Sequence, residues 1–279
     1  MTPNSNQTGS WGRVSAILGW ASTGCWFVGW YPQLLTNFHA RSVAGFSLDN
    51  ILLNFLGFAC YSCYNGALFY SESARAAYRS AHGGVDSDVR SNDVFFAFHA
   101  LFCTVLTGLQ ALKYNRGNQK VSKPALLGCG AAAAALSVYG SLWLSAAAAA
   151  SRSSQPRVAN AAAAAAASGG GGGPDLLRFL TCLSYVKVLT TFVKYWPQIR
   201  LNAARRSTVG FNISNSITDL SGGLLSLSQQ GLDAWLFADA TLVTVRRGVG
   251  GRRRRKGKRR KKEEKTHPLR PRPFFFSSL

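Results

Sequence analysis

Three ionisable side chains stand inside otherwise apolar runs: Lys187 and Lys194 in LTCLSYVKVLTTFVKYW, and Asp219 in NSITDLSGGLL. A charge at the centre of a membrane helix costs about 2.5–3.5 kcal/mol on insertion scales, so it faces a cavity, finds a partner or moves protons and solutes. The lysines are seven residues apart, two helical turns, which sets both ammonium groups on one face. The bland alternatives are an ion pair of Asp219 with either lysine, and snorkelling of the lysines to an interface, which suits Lys194 better than Lys187. Asp93, in SNDVFF, stands just before an apolar run, where a Ser-Asn-Asp cluster reads as an ordinary helix cap. No other chemistry is assembled. Cys60 and Cys63 have CxxC spacing without a second ligand pair, so no metal site is expected, and GGGGGP lacks the Lys-Ser/Thr of a phosphate loop. No nucleophile–base pair is evident, and the reading is not that of an enzyme.

The elements that position these residues are long apolar blocks. Val14 to Phe38, Ile51 to Ser71 and Pro124 to Ser151 carry no charge, and Val94 to Leu112 carries only His99. Each is long enough, or nearly so, to cross a hydrocarbon core of about 30 Å. Leu176 to Asn202 and Ser207 to Leu232 are as long but hold the lysines and the aspartate, giving six expected spans. No cleavable signal peptide precedes the first. All six cysteines fall in apolar blocks and read as small packing residues. The net charge of +21 is concentrated at one end: 15 of 32 basic residues lie from Arg246 onward. This tail, residues 246–279, reads as disordered, either in contact with anionic lipid or simply solvated with no partner, and no nucleic-acid partner is expected.

The chain also repeats itself. Shifted by 165 residues, Pro32 to Gly57 aligns with Pro197 to Gly222 without a gap, and nine positions are identical. They include Pro32/Pro197, Gln33/Gln198, Asn37/Asn202, Gly45/Gly210 and Asn50/Asn215. Each copy reads as an apolar helix broken by Pro-Gln near its end, a short basic loop, and a second helix starting near Phe46 or Phe211. The copies are separated by four spans, so they lie the same way up, as parallel repeats do.

YPQ and WPQ, each followed by Asn, a basic loop and Ser-x-x-Gly, resemble the two motifs of the PQ-loop transporters. GFSLDNILLNFLGFACYSCYN, SNDVFFAFHA, SYVKVLTTFVKYWPQ and ITDLSGGLLSLSQQ are similar to the cystine-transporting branch of that family. The resemblance implies an all-α membrane protein of SWEET-like fold, two parallel three-helix repeats joined by a linker helix. It implies export of cystine, coupled to protons, from the lysosome or vacuole lumen to the cytosol, with no cofactor beyond the coupling proton. Asp219 and Asp93 become proton-coupling carboxylates. For Asp93 this reverses the preference for a cap. Cystine has two carboxylates and two ammonium groups. Lys187 and Lys194 would meet the former, and Asp219, Asn54, Asn202 and Asn215 the latter, with Trp30 against the disulfide. Asp49 also matches an acidic position, although a helix-end role is the plainer reading. Pro32 and Pro197 are expected to act as hinges, with Gln33 and Gln198 satisfying freed backbone groups or touching substrate.

The expected organisation is a short lumenal N-terminus (1–13), a first bundle (14–114), a linker helix (124–150), a low-complexity lumenal loop (151–175), an incomplete second bundle (176–235) and the basic tail. Basic loops at Phe38 to Gly45, Lys113 to Lys123 and Arg200 to Arg206 place the PQ loops in the cytosol and the N-terminus in the lumen. Six spans would return the tail to the lumen, against the same rule, because Leu236 to Val245 is too short for the seventh helix of the family. Two alternatives stay open: a relative moving another amino acid or small solute, and an inactive or regulatory six-span variant.

Overall fold

The computed structural model describes residues 5–87, 89–152 and 175–254, and it is helical throughout apart from short connections. Helix α1 spans Ser5–Ala40, α2 Leu48–Tyr70, α3 Glu72–Ala81, α4 Ser91–Lys113, α5 Lys123–Arg152, α6 Leu176–Val193, α7 Tyr195–Arg205 and α8 Ile213–Arg254. Ser47 caps α2, accepting from the Asn50 N–H, and Asp175 caps α6, accepting from the Leu177 N–H at 3.1 Å. Such caps satisfy helix-end donors that have no partner within the helix. Ser71 does double duty: its N–H closes α2 on Ala67 O and its hydroxyl caps α3.

Among the described residues, four helices are long and apolar enough to cross a membrane: Leu48–Tyr70, Ser91–Lys113, Lys123–Ala149 and Leu176–Arg205. The first and last of the six expected spans, in α1 and α8, are not among them. Both are long, 36 and 42 residues, but diluted by Ser, Gly and Trp in α1 and by Ser, Asp and Gln in α8. Other expectations shift too. Helix α1 begins at Ser5, ahead of the expected boundary at 14, and it runs unbroken through Pro32. The loop after α2 contains a short helix, α3, that was not foreseen. Helix α8 carries helical backbone to Arg254, so the first nine residues of the basic tail continue a helix rather than starting a disordered segment. The rest of that tail and residues 153–174 of the low-complexity loop lie outside the described residues.

The chain divides into two compact units: Phe27–Ile217, and Met1–Trp26 with the segment from Thr218. In the larger, α2 is the hub, packed most extensively on α6 and α4. Cys60, Tyr64 and Leu68 meet Ala74 of α3 and Leu180 and Leu183 of α6 in one cluster. Phe58 and Tyr61 meet Ala97 and Ala100 of α4 in another, with Trp30 and Phe96 packed against them. Over half of the α2 span is buried, against 6% of the α5 span. In the smaller unit, Ser22 Oγ donates to Gly222 O at 2.9 Å, Trp26 Nε1 donates to Asp219 O at 3.3 Å, and Trp11 meets Trp235 edge-on at 6.1 Å.

Candidate functional site

The two PQ motifs meet in the larger unit. Gln33 is 3% exposed and Gln198 4%, and each spends its whole amide on the opposite copy's loop and its own helix. Gln33 Nε2 donates to Gly210 O at 3.1 Å and to Asn37 Oδ1 at 2.8 Å, while its Oε1 accepts from the Asn212 N–H at 2.8 Å. Gln198 Nε2 donates to Gly45 O at 2.9 Å and to Asn202 Oδ1 at 2.9 Å, while its Oε1 accepts from the Ser47 N–H at 2.8 Å. Under the 165-residue shift, every atom pair in one set maps onto its counterpart in the other. A carboxamide has one acceptor oxygen and two N–H donors, and this arrangement uses all of them.

The loops between are shaped to allow it. Arg41 and Arg206 both adopt φ of 49°, turning the chain out of α1 and α7. Gly45 and Gly210 lie backbone on backbone, and a Cβ on Gly45 would run into Val209 O and the Gly210 backbone. Gly210 has φ of 87°, a conformation L side chains rarely adopt. Phe46 and Phe211 stack across the same junction, 6.5 Å apart at 12°. Of the two roles expected for the glutamines, the geometry gives backbone satisfaction, but of the other copy's loop rather than of the helix that proline disrupts.

Beyond this junction, α2 and α6 share a polar face. Asn50 Nδ2 donates to Lys194 O at 2.7 Å, and Asn54 Nδ2 donates to Asn50 Oδ1 at 2.6 Å. Gly57 lets the helices close, since a Cβ there would strike Thr190 Oγ1 and touch the Lys187 side chain. Lys187, 7% exposed, sets its ammonium 4.4 Å from the centre of the Phe58 ring and 5.7 Å from that of Tyr61, and donates to Thr191 Oγ1 at 2.7 Å. A cation held over aromatic faces gains about 0.5–2 kcal/mol, more as water is excluded. Trp30 packs edge-on against the same Phe58 ring at 5.3 Å, so one phenyl ring joins Trp30 to Lys187. Lys194 is 9% exposed, its ammonium 4.7 Å from the centre of the Tyr195 ring. Neither lysine reaches the surface of the folded chain.

Several expected residues are placed differently. Asn202 commits its Oδ1 to Gln198, in the loop junction rather than toward a solute. Asp93 Oδ2 accepts from the Arg90 N–H at 2.8 Å, a helix-capping bond that matches the reading from the residues alone. Asp49 Oδ1 accepts from the Ser122 N–H at 2.7 Å, tying the start of α2 to the start of α5. Asn215 is half-buried in the larger unit, and Asp219 is half-buried on the α8 segment of the smaller one. The structure also brings in residues that were not singled out: Asn37, wholly buried, links Gln33 to Gln110, and Phe58 is the ring shared by Trp30 and Lys187. Asn37 and Asn50 were visible as identities of the repeat. Nothing in the sequence marks Phe58.

The PQ loop repeat family matches residues 14–73 and 179–238, two segments offset by the same 165 residues as the internal alignment. With the helical architecture, this defines a multi-pass membrane protein built on two PQ-loop repeats. Similar proteins include a cystinosin homolog of Dictyostelium discoideum, 34% identical over 79% of this chain and 68% of its own length. The cystinosin of Bos taurus is 34% identical over 82% of this chain and 57% of its own, and a Caenorhabditis elegans cystinosin homolog 35% over 78% and 48%. The chain belongs to the cystinosin family of PQ-loop transporters. It spans about half to two thirds of the length of these relatives.

Proposed function

We propose that the protein exports cystine with protons from an acidic compartment, the lysosome or vacuole, to the cytosol. The observation that carries this reading is the pair of buried lysines on one apolar helix, beside a face that holds amides and aromatic rings. Ammonium groups held in that setting are suited to the anionic groups of a solute. Cystine offers two carboxylates for Lys187 and Lys194, two ammonium groups for acceptors such as Asn54 and Asn215, and a disulfide that an aromatic side chain such as Trp30 can cover. The likeness to cystinosins supports the choice of solute. Asp219 is the carboxylate assigned to proton coupling, with Asp93 second, since its cap bond holds it at a helix end. In this reading Pro32 and Pro197 allow bending, and the glutamine-braced loops form the closed cytosolic end that must part for release.

The test is uptake of labelled cystine by cells displaying the protein at their surface. Uptake is expected to rise as the external medium is acidified, and Asp219→Asn is expected to remove that acid dependence. Uptake that Asp219→Asn leaves unchanged rules the coupling assignment out, and arginine competing as well as cystine rules out the solute.

A further inference from the structure

Outside the junction, the first copy carries a groove that the proposed transport cycle does not use. It has a volume of about 370 Å³, within the range of about 300–1,000 Å³ of small-molecule sites, and lies between the ends of α1 and α4. Its walls are Leu34, Leu35 and Phe38 on one side and Leu106 and Leu109 on the other. Leu35, Phe38 and Leu109 are about half exposed. The floor is built: Gln110 Nε2 donates across it to Leu34 O at 3.0 Å, and Gln110 Oε1 accepts from the buried Asn37. At the rim stand Lys113 and Tyr114, with Arg41 laid over Phe38 at 4.5 Å and donating to Tyr114 Oη at 3.2 Å.

The rim is cationic and faces little acid. No Asp or Glu occurs between Asp93 and Asp175, a stretch holding Lys113, Arg116, Lys120 and Lys123. The ion pairs among the described residues, Arg75–Glu72, Arg79–Glu72 and Arg79–Asp86, involve none of these cations. Asp49 is engaged by the Ser122 N–H. An exposed apolar slot between two helix ends, under a positive rim, fits one chemistry: an acyl chain below, an anionic headgroup above. In the second copy the positions matching Leu35 and Phe38 are Arg200 and Ala203, a charged and a small residue in place of two apolar walls.

We propose that this groove is a specific site for one anionic phospholipid of the leaflet that faces the PQ loops, with its headgroup on Lys113 and Arg41. The site is separate from the basic tail and does not depend on which solute is carried. The test is native mass spectrometry of the full chain, delipidated and offered phosphatidylserine or phosphatidylcholine. The wild type is expected to retain phosphatidylserine preferentially. Lys113→Gln and Arg41→Gln are each expected to lower its retention about fivefold. Leu109→Trp, which fills the groove and leaves the charges alone, is expected to displace it as well. All three side chains are exposed, so the variants keep the fold. Equal retention of the two lipids overturns the proposal. So does loss in the charge variants with none in Leu109→Trp, which would mean a diffuse basic surface.

Discussion

The two PQ copies share nine residues and one hydrogen-bond pattern, yet only one of them interrupts its helix. Pro32 lies inside the continuous α1, whereas before Pro197 the ladder breaks at Lys194, between α6 and α7. Neither proline can return a hydrogen bond to the carbonyl four residues earlier. What differs is the surroundings. In the first copy Thr36 Oγ1 and Asn212 Nδ2 donate to the carbonyl of Pro32 itself, whereas the residue matching Thr36 in the second is Leu201, whose side chain has no donor; there Asn50 takes the Lys194 carbonyl. The dihedrals of Lys194 stay helical, so the break removes hydrogen bonds without redirecting the chain at that residue. The comparison separates the two letters of the motif. Glutamine has one structural task in both copies, bracing the opposite loop, while the effect of proline is set by its neighbours.

The largest effect is expected where the copies touch without side chains. Gly45→Ala forces a methyl group into the backbone of the second loop and is expected to cost about 1–3 kcal/mol, read as a lowered Tm in detergent. Gly210→Ala meets a looser contact but adds backbone strain of about 1–3 kcal/mol at φ of 87°. Either variant at wild-type Tm would break the claim that backbone packs on backbone here.

The prolines come next, and should part company. Pro32→Ala, in a helix already continuous, is expected to keep or raise Tm, since alanine is the better helix former by up to about 3 kcal/mol. Pro197→Ala is expected to slow cystine uptake more than Pro32→Ala does. Equal rates in wild type and Pro197→Ala would remove the hinge.

The smallest effects concern how each copy's second helix ends. Ser71 stops α2, whereas the matching position in the second copy is Leu236 and α8 continues to Arg254. Ser71→Leu is expected to cost about 1 kcal/mol through the lost α3 cap. The hydrogen bond from Arg79, followed by the charge of Arg75, holds the Glu72 carboxyl below its ordinary range. A carboxylate with a lowered folded pKa contributes stability that is present above its unfolded pKa and lost as pH falls through the folded one. The protection of α3 amides, with the intrinsic pH dependence of exchange divided out, should therefore stay constant across mildly acidic pH and fall only below the usual carboxylate range. In Glu72→Gln it should be pH-independent there.

Much of this was legible because the repeat keeps polar residues in register. The prolines and glutamines of the junction, with Asn37 and Asn202, stand among the identities, and the uncharged blocks around them outlined the helices. The partners of the glutamines were not legible, since they are backbone groups of Gly45, Ser47, Gly210 and Asn212, and a sequence does not rank one peptide unit above another. Phe58 was hidden for a related reason: a phenylalanine in an apolar helix looks the same whether it faces lipid or an ammonium group. Helix α3 was missed because it is a short, charged segment outside the apolar blocks. The bond of Asn202 to Gln198 was not legible because an amide in a membrane helix suits a solute and a glutamine equally well.

The reciprocal brace is the central claim, and a double-mutant cycle on Gln33 and Gln198 tests it most directly. Unfolding free energies would be read by SDS titration in mixed micelles for Gln33→Ala, Gln198→Ala and the double variant. Each single change strands a carbonyl and an N–H of the other copy's loop and is expected to cost about 1–3 kcal/mol. The double variant should cost less than the sum by about 0.5 kcal/mol or more, because both braces hold one junction. Two equal losses with such a coupling are the predicted result. One silent glutamine, or strict additivity, would contradict it.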